Sequence, residues 1–256
     1  TEAILDVTAL LKPFLPANLE SVPKEEAEAP SLTGMDAAGG KLFLSYGVGG
    51  RVLILDASTG KLEKAVAVER PGDLEVGVDG KCYVLSGGTR LVRFDPGAGT
   101  TEPVVTDLRN AAAVACDAAG QLYIGVGEPD NQVKVFGPDG KPLRVIGKLG
   151  GRPPLGKWDA SGMRAISGLR TDPQGKLWVM ENDDTPRRIS VWNAAGGEFI
   201  REFFGPTNYG AGGGAISPLD PYCMVGHGSE WKLDPATGRA SCVAVFHRGG
   251  MANARF

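Results

Sequence analysis

Short runs of alternating apolar and polar residues recur along the chain, each entered through a glycine turn. The segments DAAGGKLFLSY, VGVDGKCYVLS, CDAAGQLYIGV and TDPQGKLWVME share one pattern: an Asp- or Gly-rich turn, a polar residue, then alternating apolar positions ending on a small or polar residue. Their turn glycines are Gly40, Gly80, Gly120 and Gly175, spaced 40, 40 and 55 residues apart. A period of two predicts strands, because successive strand side chains point to opposite faces. A second alternating run follows each one, as RVLILDASTGK, RLVRFDPGAGT, QVKVFGPDGKP and RISVWNAAGGE, and its turn residues close a hairpin. Third strands are predicted at Leu62–Val68, Thr101–Thr106, Pro142–Ile146 and Glu198–Phe204. With the strand before the first turn, each unit has four antiparallel strands.

A fifth, weaker unit runs from Gly214 to His247, with Tyr222–Val225 and Glu230–Leu233 as middle strands and DPATG as the hairpin turn. One such unit cannot bury both faces of its sheet, so units must stack around an axis. The predicted fold is all-β, a β-propeller of four-stranded antiparallel blades, five legible and six expected on closure. The blades fall at about 31–70, 71–108, 109–147, 166–204 and 214–247, within a propeller domain spanning 31–256. Residues 1–30 read as an N-terminal strand (Ile4–Leu11), which closes the ring or belongs to a preceding segment, and a Pro/Glu/Ala-rich linker or strap (Lys12–Pro30). The tail Arg248–Phe256 is placed at the start of a sixth blade.

The stretch EPDNQVKVFGPDGK (Glu128–Lys141) resembles the NHL repeat, with its acidic-x-x-Asn-x-V-x-V-F run and following glycine turn, and ENDDTPRRISVWNAAGGEF (Glu181–Phe199) is a longer version. The resemblance covers roughly Ser31 to Phe204. It implies the propeller fold and very little about activity, since propellers of this family bind proteins, bind RNA or, rarely, catalyse. Peptide-amidating lyases of this fold hold a metal with several histidines, whereas His227 and His247 are the only two here. The Glu-Gly-Pro segment of the lactonase-type propellers is absent, and the His-Glu-His arrangement of streptogramin lyases has His227 as its single candidate.

Among 256 residues, 38 glycines and 18 prolines suit many short strands and tight turns. A net charge of -3, from 27 basic and 30 acidic residues spread through the chain, leaves no footprint for nucleic acid. No apolar run reaches the roughly eighteen residues that span a bilayer, so membrane insertion is not expected. Cys82, Cys116, Cys223 and Cys242 lack zinc-site spacing and read mainly as core residues, with a disulfide the alternative.

The extra 15 residues of the 55-residue spacing fall in a long crossover at 147–165. In a four-stranded blade this crossover shares a face with the loop between second and third strands, enlarged here at 181–188, and with the next long crossover at 205–214. Candidate binding residues are therefore Arg152, Trp158, Asp159 and Arg164 on the first loop, and Glu181, Asp183, Asp184, Arg187 and Arg188 on the second. Asn208 and Tyr209 on the third loop, and His227 in the equivalent loop of the fifth unit, complete the set. The alternative is a self-packed loop plugged by Trp158 and tied down by Arg–Asp pairs. Glu181, Asp183 and Asp184 are dense enough in oxygen to admit calcium, although no EF-hand spacing is present and loop closure through backbone hydrogen bonds competes with it.

These features predict a non-catalytic recognition or scaffold module that binds a protein, peptide or glycan on the elaborated face. The rival is a metal-dependent hydrolase or lyase with a divalent ion near Glu181, Asp183, Asp184 and His227. The composition of the leader and a start at Thr1 carry the expectation of one module of a larger extracellular or cell-envelope protein, secreted from the cell.

Overall fold

The computed structural model describes residues 7–18, 32–183, 186–205, 214–226 and 228–245. Its strands follow the predicted repeat closely. The first blade holds β1 (Gly34–Ala38), β2 (Lys41–Tyr46), β3 (Arg51–Asp56) and β4 (Leu62–Ala67), and the second β5 (Pro71–Val76), β6 (Cys82–Ser86), β7 (Arg90–Phe94) and β8 (Thr101–Val105). The third holds β9 (Ala111–Cys116), β10 (Leu122–Val126), β11 (Gln132–Phe136) and β12 (Pro142–Ile146). After a short β13 (Gly156–Lys157) comes the fourth blade, with β14 (Ile166–Thr171), β15 (Lys176–Glu181), β16 (Arg188–Asn193) and β17 (Phe199–Phe204). The fifth is β18 (Gly214–Ile216), β19 (Cys223–Gly226), β20 (Ser229–Asp234) and β21 (Arg239–Val245). Every pairing is antiparallel between consecutive strands, except that β13 adds to the outer edge of β21.

The repeat has a local cause. Asp79, Asp117 and Asp172 each accept backbone N–H bonds within their own turn through Oδ1. Through Oδ2 each also accepts a bond from the aromatic residue three places past the turn glycine, from Tyr83 and Tyr123 at 3.0 Å and from Trp178 at 2.8 Å. The glycines themselves sit at φ of 75°, 77° and 73°, where a side chain would be strained. One carboxylate thus folds the turn and fixes the ring that starts the next strand.

Blades pack face to face. Phe43, Val52 and Ile54 of the first meet Leu74, Cys82 and Phe94 of the second, and Tyr83, Leu85 and Leu91 meet Val114, Leu122 and Ile124 of the third. Tyr123, Val133 and Val135 then meet Leu177, Val179 and Trp192 of the fourth. Inner strands are also stitched by half-buried carboxylates, with Asp36 Oδ2 accepting the N–H of Val76 at 2.7 Å and Asp73 Oδ2 that of Val114 at 2.9 Å. Arg170, on the inner strand of the fourth blade, reaches across the axis to Asp36 at 3.5 Å and to Glu75. The axis is therefore a charged spindle with β1, β5, β9 and β14 around it.

The chain start differs from expectation. Where an N-terminal strand was predicted, Thr8–Leu11 form an α-helix (α1), and Lys12–Phe14, assigned to the linker, form a 3₁₀ turn. The physical reason is period: Val7, Leu10, Leu11, Phe14 and Leu15 recur at helical spacing and lie together against Leu44, Tyr46, Leu53 and Leu55. Among the described residues, α1 and the turn after it are what cover the face of the first blade turned away from the second. Residues 19–31 and 246–256, with the expected strap and sixth blade, lie outside the described residues.

The fifth blade meets the fourth at its outer strand, where the Phe204 and Trp231 rings are 4.9 Å apart, edge to face. Among the described residues no strand of the fifth sheet pairs with the first, so closure of the ring is not observed. All four cysteines are free. Burial pushes the thiols of Cys116 and Cys242 up to about 12, which makes them packing residues rather than nucleophiles.

If α1 caps the first blade, truncation of its fully buried anchor is costly. Leu11→Ala is expected to destabilise the chain by about 2–4 kcal/mol in chemical denaturation. A change below about 0.5 kcal/mol, the size of a surface substitution, would show that the helix is not part of the core.

Candidate functional site

Crossover 147–165 leaves β12, loops over the fourth blade and returns to β14. Its two legs touch at a pinch: Arg152 donates its backbone N–H to Met163 at 3.2 Å, and Gly151 and Gly162 leave no space for a side chain. A Cβ on Gly151 would stand 2.0 Å from the Met163 carbonyl oxygen, and one on Gly162 would stand 2.3 Å from Arg152 N.

Below the pinch lies a charge network closed off from solvent. Arg152, Glu181, Asp183 and Arg188 are each 2 % exposed or less. Glu181, at the end of β15, is its centre. Oε2 accepts from the Arg152 guanidinium and, at 2.8 Å, from the backbone N–H of Arg164. Oε1 accepts from Arg188 Nη1 at 2.9 Å and from the Ser190 hydroxyl at 3.1 Å, and that hydroxyl accepts from Trp192 Nε1 at 2.9 Å. Arg188 also donates to the carbonyls of Gly162 and Ala160, at 2.8 and 2.5 Å. Its Nε lies 2.6 Å from Glu202 as an ion pair, at an angle that no hydrogen bond takes. Asp183 pairs with Arg152 at 3.2 Å and with Arg164 at 3.6 Å, and Arg164 pairs outward with Glu128 of the third blade at 2.8 Å.

Trp158 lies over this network. The Arg152 and Arg188 guanidinium carbons stand 4.8 and 5.5 Å from its ring centroid, and its Nε1–H is shared by both carboxylate oxygens of Glu202, at 3.1 and 3.3 Å. Its ring meets Phe204 edge to face at 5.5 Å, and its backbone N–H reaches Val243 of the fifth blade at 2.7 Å. Asp159 is tied on the outer leg by Lys148 at 2.7 Å and by the hydroxyl and N–H of Ser161. Hydrogen bonds from Lys148 and then Ser161 hold its carboxyl down at about 2, against an ordinary 3.8.

Two of the three loops expected to converge therefore do meet. The residues named from sequence divide, however. Arg152, Glu181, Asp183 and Arg188, expected to line an open pocket, are buried instead, a placement tolerated because each charge faces an opposite one. Trp158, Asp159 and Arg164 are partly covered, and Arg187 is exposed. Asp184, Asn208, Tyr209 and His227 lie outside the described residues. Both oxygens of Glu181 are already engaged, so a cation there would have to displace arginines. Among the described residues no group of three metal-ligating side chains is present. Sequence reading missed Glu128, Ser190 and Glu202. Glu128 opens the quoted repeat stretch and could have been found by repeat alignment with Glu181, whereas Glu202 carried no signal beyond its place on an alternating strand.

The exposed part of the loop, its crown, consists of Leu149 just before the pinch and residues 153–157 beyond it. Leu149, Pro153, Pro154, Leu155 and Lys157 are all exposed, Leu149 by 71 % and Leu155 by 49 %.

Sheets of four antiparallel strands arranged as blades define a β-propeller. Comparison of the sequence with protein-family models and with curated proteins gives no match. Solved structures do match in fold. A hydrazine synthase of Kuenenia stuttgartiensis is 15 % identical, with a TM-score of 0.58, over 84 % of this chain and 66 % of that one. A chain of a mitotic checkpoint complex is 13 % identical, TM-score 0.53, over 85 % of this chain and 64 % of that one. A streptogramin B lyase is 14 % identical, TM-score 0.53, over 84 % and 68 %. The chain spans just under two thirds of the length of the first two. At these identities the likeness concerns the fold alone.

Removing one partner from a buried ion pair strands the other's charge. Glu181→Ala is accordingly expected to cost about 3–5 kcal/mol and to open crossover 147–165 to limited proteolysis, while Glu181→Gln retains part of the network and costs less. A cost under about 1 kcal/mol for Glu181→Ala would mean that the network does not hold the loop. Asp159 makes a separate, pH-dependent contribution: its folded pKa is depressed, so its tie is fully present above pH 3.8 and is lost as pH falls through about 2. Asp159→Asn should flatten the stability curve in that window and leave the curve shape above pH 5 unchanged.

Proposed function

We propose that the chain is a non-catalytic recognition module of the NHL type that presents crossover 147–165 as a rigid loop and takes a protein or peptide on its exposed crown. The observation that carries this reading is the contrast within one loop. Its base is locked by buried ion pairs, and its crown offers two leucines and two prolines to solvent. Pre-ordering removes the entropic cost that a mobile loop would meet on binding, and apolar residues on a rigid projection are what a protein groove accepts. Such a surface suits a polypeptide better than a glycan, which calls for more polar contacts. The fold neighbours include an enzyme, the streptogramin B lyase, and a component of an assembly, the mitotic checkpoint complex, so the propeller itself leaves both roles open.

The test is a peptide-library selection against the whole chain, followed by affinity measurement on Leu149→Asp/Leu155→Asp. Selected peptides should bind the variant at least about tenfold more weakly, the loss expected when buried leucine contacts vanish. The midpoint of thermal unfolding should move by no more than about 2 °C, as for surface substitutions. Peptides whose affinity is indifferent to the variant would place recognition elsewhere and overturn the reading.

A further inference from the structure

Among the described residues no other blade stacks on the face of the fourth blade turned away from the third, and much of that face is exposed. Register sets Arg170, Trp178, Val191 and Arg201 in one row across it and Gly168, Met180, Ile189 and Phe203 in the next. Trp178 lies parallel to Phe203, with ring centroids 6.1 Å apart and planes within 7°. Met180 is 53 % exposed and Phe203 45 %, values foreign to a core face. A cavity of about 520 Å³ opens here, walled by Trp178, Met180 and Ile189, with Arg170 and, from the second blade, Asp73 also in its lining. That volume falls in the range of small-molecule sites, about 300–1,000 Å³.

The axial side of the cavity has a definite sign. Asp36, Asp73 and Glu75 stand near one guanidinium, that of Arg170, which is paired with Asp36 and Glu75. Among the described residues the lining itself holds one carboxylate, Asp73, and one guanidinium, Arg170, whose charge is already matched by Asp36 and Glu75 outside the lining. Asp73 accepts backbone N–H bonds from Val114 and Leu74, and removal from water raises its pKa against the lowering effect of those bonds and of Arg170. An incoming anion would face that carboxylate. A neutral apolar ligand would fill the wall and leave the charge uncompensated.

We propose that this cavity binds an organic cation carried on an apolar frame, with the frame on Trp178, Met180 and Ile189 and the ammonium group directed at Asp73. The aromatic wall adds to the selection, because a cation beside the face of a tryptophan is favoured over a neutral isostere. The site lies on the opposite face of the blade from Glu181 and does not depend on the crown of crossover 147–165.

The test uses three probes of one shape, 2-phenylethylammonium, 2-phenylethanol and phenylacetate, titrated into the whole chain. The Trp178 indole N–H resonance, assigned through Trp178→Phe, reports occupancy. The ammonium should shift this resonance saturably, the alcohol should bind about tenfold more weakly, and the carboxylate more weakly still. Asp73→Asn should bring the ammonium down to the affinity of the alcohol. If Asp73→Asn fails to fold, Ile189→Arg places a repelling charge at an exposed position of the wall and should cause the same loss. Equal binding of ammonium and alcohol, stronger binding of the carboxylate, or no movement of Trp178 with any probe would each overturn the proposal.

Discussion

A four-stranded sheet that is apolar on both faces must be covered on both, and this requirement organises the molecule. Inside the arc the second and third blades meet it with neighbours on either side. At one end the requirement is met by a different element, since α1 lays Leu11 and its helical neighbours on the outer face of the first blade. At the other end, the outer face of the fourth blade keeps Trp178, Met180 and Phe203 in contact with solvent, because the fifth blade joins at the outer strand β17 instead of stacking on that face. Exposed apolar area at this position is a consequence of how the blades are joined, and it makes a cavity where a closed stack would have a core.

Burying Glu181 with three arginines nearby is not an economical way to gain stability. Each ion loses hydration worth several kcal/mol, and the attraction offsets this only when geometry is good and the remaining donors are satisfied. Here both oxygens of Glu181 are engaged, and Arg188 uses loop carbonyls as well as carboxylates. An apolar core at the same place would pack as well but would not select one path for a long crossover. The network instead gives the loop a single set of partners, and the pinch at Gly151 and Gly162 excludes broader alternatives. Conformational definition, more than net stability, is the physical result.

Much of the fold was legible because the repeat writes the same chemistry several times. The turn glycine and an aromatic residue three places on recur in four blades, and in three of them a turn aspartate, one or three places before the glycine, is bonded to that aromatic residue. Strand order followed from hairpin turns alone. The N-terminal segment was misread because Val7, Leu10 and Leu11 in a short apolar stretch fit either period, and only Phe14 and Leu15, assigned to a linker, complete the helical face. β13 could not be foreseen, since two residues carry no period and pair with a strand far along the chain. At the candidate site, loop length pointed to the right region, but charged residues on a long loop look alike in sequence whether they face solvent or one another. Burial of Arg152 and Arg188 depends on partners from three separate segments. The open face of the fourth blade was illegible for a related reason: Trp178 and Met180 sit at positions that would be core in any blade with a neighbour.

The fourth blade carries the anchored loop on one face and the open cavity on the other, and one cross-strand pair serves both. Glu181 stands directly opposite Arg188, just as Met180 stands opposite Ile189 one step along the same two strands. Side chains alternate strictly, so a slip of one residue between β15 and β16 would exchange the faces, sending the charges outward and the cavity wall inward. In most sheets the apolar pattern alone opposes such a slip. On this blade the opposition is weakened, because residues with substantial apolar surface stand on both faces and one face is uncovered. The Glu181–Arg188 pair supplies the missing discrimination, since displacing it by one position would leave two buried charges without partners. The two surfaces are separate in what they contact, yet they share the register that places them.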